Sequence, residues 1–137
     1  MDTRILEQLQ EAFAEEIALA GNDLGLLEAV VEEKLRVFGK ELLQRAVDRG
    51  VNGYEGSSMA CRCGGSMKFV QHRSKDIHTL FGWITVKRAY YHCSDCGESS
   101  FPYDAASGLG SEQVSPGLAK ACCLLAVDDS FEQSSRK

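Results

Sequence analysis

Apolar residues recur every three or four positions through the first third of the chain and every second position through the middle third. Ile5, Leu9, Phe13 and Ile17, with Leu6 and Ala20 beside them, line one face of a helix over residues 3–19. "GND" at 21–23 interrupts the pattern, and Asn22 or Asp23 is placed to cap the helix that follows. Leu27, Val31, Leu35, Phe38, Leu42 and Ala46 then predict a second helix over 24–49, with Gly50 as its stop. Two antiparallel helices packed through these faces are expected over residues 1–50. The polar, glycine-rich "VNGYEGSS" at 51–58 reads as a linker.

The period then changes. "MKFVQHR" (67–73), "DIHTLF" (76–81) and "WITVKRAYYH" (83–92) are rich in β-branched and aromatic residues. With breaks at "SKD" (74–76) and Gly82, they predict a three-stranded antiparallel meander within a segment 59–100. In the last strand, Ile84, Val86, Arg88 and Tyr90 fall on one face, and Trp83, Thr85, Lys87 and Tyr91 on the other. Residues 96–114 read as irregular connection. Ser115–Pro116 starts a further helix by cap and first-turn proline, with Leu118, Ala121, Cys122 and Leu125 on its buried face. Asp129 or Ser130 is placed to cap another short helix. The predicted class is α+β: a helical hairpin, a small antiparallel sheet, and a C-terminal region over 101–137.

Composition narrows the class. The chain has 137 residues, of which 44% are hydrophobic and 26% charged, as expected of a globular protein of one or two small domains. No apolar run approaches the roughly 18–20 residues of a membrane span. The acidic, amphipathic N-terminus is unlike a secretory signal. An untargeted cytoplasmic protein is expected, without a membrane partner. In that compartment six cysteines favour metal ligands or inert thiols over disulfides.

The net charge of −5 is unevenly distributed. Residues 1–58 carry a net −6, residues 59–96 a net +4 and residues 97–137 a net −3. The first four cysteines all lie in the basic segment. Cys61 and Cys63 are followed across the meander by Cys93 and Cys96, and a glycine follows the second cysteine of each pair. This order describes a zinc ribbon, in which tetrahedral Zn–S bonds near 2.3 Å set paired sulfurs about 3.8 Å apart. The short C-x-C spacer departs from the commoner C-x-x-C. A redox C-x-x-C and unrelated buried thiols are the alternatives, although a βαβ setting for the redox motif is missing. His72, His78 and His92 read as packing or surface residues, and Cys122 and Cys123 as helix core.

The basic segment also interleaves cations with aromatic residues, the combination that phosphates and bases recognise. Lys68, Arg73, Lys75, Lys87 and Arg88, with Trp83 and Tyr91, are the candidate DNA contacts; Phe69 and Tyr90 read as sheet core. No acid–base pair, two-metal carboxylate cluster or phosphate-binding glycine loop is present in the sequence, so no catalytic residues are expected.

"CRCGGSM", "HTLFGWITVKRAYYHCSDCG", "FPYD", "SPGLAKA" and "SFEQSS" in this order resemble the front part of ISKra-type bacterial insertion-sequence transposases, over residues 61–134. The resemblance implies that Cys61, Cys63, Cys93 and Cys96 hold a structural zinc, with Thr79, Gly82, Arg88, Tyr90 and Tyr91 as surrounding motif positions. It further implies a DNA-binding region, directed to transposon ends, that is non-catalytic without a downstream RNase H-like domain. A homo-oligomer joined through the N-terminal helices is the second partner expected. The alternative function is an interaction adaptor whose zinc is purely structural.

Overall fold

The computed structural model describes residues 2–50, 52–110 and 112–135, with side chains described up to Val127. The protein is α+β and forms two compact units, Met1–Gly39 and Lys40–Lys137.

In the first unit, α1 (Thr3–Ala12) and α2 (Ala14–Ala20) replace the single helix expected over 3–19. They meet at Phe13, whose backbone leaves helical geometry although no proline or glycine marks the site. The chain reverses through Gly21, and Asp23 caps α3 (Leu24–Asp48) by accepting from the Leu26 N–H at 3.2 Å. Leu9, Phe13, Ile17 and Ala20 are at least partly buried, as their spacing predicts. On this part of α3 the partly buried side chains are Leu27, Val30 and Lys34. Lys34 lies 5.2 Å from the centre of the Phe13 ring and donates to Glu16 at 3.1 Å. Val30 and the long apolar stem of Lys34 thus extend the packing face that Leu27 begins. Val31, Leu35 and Phe38, expected inside, are exposed.

In the second unit, β1 (Ser58–Ala60), β2 (Ser66–Thr79), β3 (Gly82–Cys93) and β4 (Ser99–Ser100) form one antiparallel sheet in sequence order. The expected break at Ser74–Asp76 does not occur. Those residues continue β2, with partners for the charged side chains among them. Asp76 accepts from the Thr85 hydroxyl at 2.7 Å across the ladder, and Lys75 donates to the Gly110 carbonyl at 3.2 Å. The sheet is therefore a long hairpin with a short strand on each side. At its tip, Thr79 closes the two-residue turn: its hydroxyl donates to the Gly82 carbonyl at 2.7 Å and accepts from the Phe81 N–H at 3.1 Å.

The buried face of β3 changes along its length. Ile84, Val86 and Arg88 are buried toward the tip, whereas Ala89, Tyr91 and Cys93 are buried at the other end. Successive strand residues point to opposite faces, so the two stretches bury opposite sides of the sheet. A bulge at Val70 in β2 accompanies the switch. Ile77, Ile84 and Val86 form one core with Leu43, Val47, Tyr103 and Leu109. Cys61, Met67, Ala89, Tyr91 and Cys93 form the other, with Met59 and Phe69 against it.

Three further expectations are corrected here. Residues 52–57 are packed, with Tyr54 edge-on to Phe69 at 5.0 Å and the Ala89 N–H donating to the Asn52 carbonyl at 3.1 Å; Val51 lies outside the described residues. Part of the connection at 96–114 is helical, as α4 (Pro102–Ser107). The C-terminal helix α5 (Pro116–Ser135) begins at the expected Ser115 cap but runs through Asp129 and Ser130, since no proline or glycine interrupts it there. Leu118 and Ala121 are partly buried on α5, while Cys122, Cys123 and Leu125 are exposed.

Candidate metal centre

The register of the sheet assembles the site. Met67 lies opposite Cys93, so the β1–β2 loop holding Cys61 and Cys63 and the β3–β4 loop holding Cys96 meet at the same end of the hairpin. Each loop is a tight turn. In the first, the Gly64 N–H donates to the Cys61 carbonyl at 3.1 Å and the Cys61 N–H to the Gly65 carbonyl at 3.0 Å. In the second, the Gly97 N–H donates to the Cys93 carbonyl and the Cys93 N–H to the Glu98 carbonyl, both at 2.8 Å. Gly64 and Gly97 have φ of 91° and 78°, left-handed conformations that a residue with a Cβ adopts only at a cost.

The short C-x-C spacer is accommodated by the second glycine. Gly65 N–H approaches the Cys63 sulfur at 3.4 Å, closing a turn that a longer spacer would close itself. The four sulfurs converge, with all four within 4.8 Å of one another. Cys61 and Cys96 are 3.5 Å apart and Cys63 and Cys93 3.7 Å apart. These separations match the edges of a tetrahedron around a metal with about 2.3 Å bonds to sulfur.

Amides and sulfurs set the electrostatics. The N–H groups of Cys96 and Asp95 point at the Cys93 sulfur and stabilise its thiolate; they outweigh burial and lower its pKa to about 7. At Cys96 the Glu98 N–H acts in the same direction, but neighbouring Cys61, burial, Cys93 and Cys63 together push the thiol up to about 12. Cys63 is also raised: the Gly65 N–H favours the thiolate, and the Cys61 and Cys93 thiols oppose it. Four thiolates cannot share this space without a cation between them, and a bound dication would remove the conflict. The four cysteines could therefore hold a metal ion. His92 takes no part; its Nδ1 lies 3.3 Å from the Ser99 hydroxyl.

The candidate DNA contacts divide into three groups. Two are structural. Tyr91 is fully buried, accepting from the Glu55 N–H and donating to the Gly56 carbonyl, both at 2.8 Å. Arg88 is 8% exposed, bonded to Asp104 at 2.6 Å, with its guanidinium 3.8 Å from the centre of the Phe101 ring. Neither can reach a phosphate or a base from this position, which corrects the reading of both. Arg73 and Lys75 are already engaged, Arg73 over the Tyr90 ring at 3.8 Å and Lys75 at the Gly110 carbonyl. Lys68, Lys87 and Trp83 are exposed. Trp83 stacks on His78 with ring centres 4.6 Å apart and planes 10° from parallel, a pairing that the strand register makes and that sequence reading missed.

The same geometry explains the motif. Thr79 and Gly82 close the hairpin, Tyr90 bonds Ser99 at 2.7 Å, Tyr91 ties down residues 55–56, and Arg88 meets the Asp of "FPYD". The fold and site define an α+β protein built on a sheet whose end carries a four-cysteine cluster suited to a metal. By sequence comparison over residues 19–137, the chain belongs to the family described as Uncharacterised protein family (UPF0236). No curated protein and no solved structure matches it. Among the described residues no helix is long and apolar enough to cross a membrane.

Proposed function

We propose that this chain is a zinc-stabilised DNA-binding region of an insertion-sequence transposase. Four thiolates in tetrahedral array with no open position favour zinc in a structural role. Cys61, Cys63, Cys93 and Cys96 would hold it, and the ion would fix the two turns that carry them. The observation that carries the DNA reading is the exposed face of the hairpin, where Lys87 and the Trp83–His78 stack stand on one side of the sheet. A cation there can meet a phosphate, and the indole offers a surface for a base. Lys68 adds a cation near the metal end. The motif order shared with ISKra-type transposases supports the same assignment and names the ends of the mobile element as the target.

Fluorescence anisotropy with a labelled duplex carrying those ends tests the proposal on zinc-loaded protein. Binding is expected at about 50 mM salt and should weaken steeply by about 200 mM. Lys87→Ala should lower the salt slope by about one, the value for one lost phosphate contact. Trp83→Ala should reduce affinity about tenfold, by loss of stacking. Arg88 is left intact, because its replacement would disturb the fold. Zinc-loaded protein that binds no duplex at low salt would overturn the proposal.

A further inference from the structure

The N-terminal half of α3 carries two apolar stripes, and its own hairpin uses only one of them. Leu24, Val31, Leu35 and Phe38 are 45–70% exposed, while Leu27, Val30 and Lys34 face inward. At 100° per residue the four exposed side chains fall within a narrow sector of the helix, about 21 Å long from Leu24 to Phe38. Leu24, Val31 and Leu35 also line a surface groove with Glu28 and Glu32. A stripe with acidic flanks suits neither an anionic membrane nor DNA, which repel those carboxylates. It suits a protein surface with the opposite charge order.

The stripe has that order built into itself. Reversed about Glu33, position 31 falls on 35 and position 32 on 34, two residues or about 3 Å along the axis from Arg36. An antiparallel second copy would therefore set Val31 against Leu35 of that copy, and Leu35 against its Val31. Glu32 would lie within reach of Arg36 of the second copy, and Arg36 within reach of its Glu32. Within one chain the same two residues already pair across one turn at 3.1 Å, which shows their side chains reach the same edge of the helix. A parallel copy would not bring these charges together, since antiparallel helices match like edges and parallel helices match opposite ones.

We infer that this protein self-associates through α3, as a two-fold antiparallel helix pair centred near Glu33. One helix stripe buries less than the roughly 800 Å² per partner of a standard interface, so the dimer is concentration-dependent and of micromolar strength. The inference rests on the α3 stripe alone and stands or falls separately from DNA binding.

Sedimentation equilibrium on the full chain tests it. The apparent mass should rise from 15.0 kDa toward twice that value across the micromolar range. Leu35→Lys should weaken association at least tenfold. Its circular dichroism should stay unchanged, because Leu35 is solvent-exposed in the single chain. A charge exchange then reads the register. E32R places arginine at both positions, and R36E places glutamate at both. Each variant alone should associate about tenfold more weakly, and an equimolar mixture should recover dimer, because only the mixed pair sets arginine against glutamate at both contacts. A wild-type chain that stays monomeric at several hundred micromolar overturns the inference. So does a dimer indifferent to Leu35→Lys, or a mixture of E32R and R36E that stays monomeric.

Discussion

Arg88 and Asp104 are sixteen residues apart and form a single short bond, Nη1 to Oδ2 at 2.6 Å, with little solvent around either side chain. Arg88 Nε and Asp104 Oδ1 are both buried without a partner among the described residues, so each end of the pair depends on the other for compensation. The Phe101 ring beneath the guanidinium adds a cation–π contact. Removing one end leaves an isolated charge in a poorly hydrated site. Asp104→Ala or Arg88→Ala should each destabilise by about 3 kcal/mol. That corresponds to a fall of roughly 10 °C in the melting temperature of a chain this size. Arg88→Met combined with Asp104→Leu leaves no charge unpaired and should recover most of the loss. Thermal melts of the two single variants and the double variant check this. Additive losses in the double variant would mean the two residues act independently.

At the scale of elements, legibility follows the range of the forces involved. Asp23 and Ser115 can be read as caps, and the cysteine turns as a pair, because each depends on neighbours within a few residues. The alternation in β3 is also legible, but which face is buried is not. It switches between Arg88 and Ala89, under the influence of Asp104 on one side and of residues 52–57 on the other. Lys75 and Asp76 read as a break because their partners, Gly110 and Thr85, are remote or across the ladder. On α3, Val30 and Val31 are equally apolar neighbours on different faces, so hydropathy alone does not choose between them. Continuing through Leu35 makes Val31 the stronger pattern, whereas the packed face continues through Lys34, whose buried stem is hidden behind a charge. The free edge of β3 shows another long-range device. Gln44 on α3 donates to the Thr85 carbonyl at 2.7 Å and accepts from the Thr85 N–H at 2.9 Å, standing in for a neighbouring strand. Gln44→Ala should cost about 1 kcal/mol, since the edge remains open to water. Hydrogen exchange should quicken at the Thr85 amide and stay unchanged at Tyr91, whose end of the strand is covered by β4. Unchanged exchange at Thr85 would show that the edge needs no such cover.

At the scale of the whole molecule, two small cores lie on opposite faces of one sheet, and only one of them contains cysteines. The core at the hairpin tip is aliphatic and is joined by Leu43, Val47, Tyr103 and Leu109, so its stability comes from ordinary burial. The cysteine core has few large side chains, chiefly Met67, Phe69 and Tyr91, and sheets this small are marginal without a further constraint. A metal joining two turns supplies that constraint, with an apparent binding free energy of about 10–16 kcal/mol for structural zinc sites near neutral pH. Removing it should not affect both cores equally. Native mass spectrometry should show one zinc per chain, lost to a strong chelator. Hydrogen exchange on the chelated protein should then accelerate most at Phe69, Ala89, Tyr91 and Cys93, and least at Ile77, Ile84 and Val86. Cys63→Ser should reproduce the pattern with zinc present, because three thiolates and a hydroxyl bind the ion far more weakly. Acid should act in the same direction: metal ligation requires deprotonated sulfurs, so protons compete with the ion increasingly as pH falls. Uniform acceleration through both cores would mean that the sheet folds as one cooperative block with the metal as its common support. Protection unchanged at the cysteine end would mean that the four thiols meet without needing a metal to hold them.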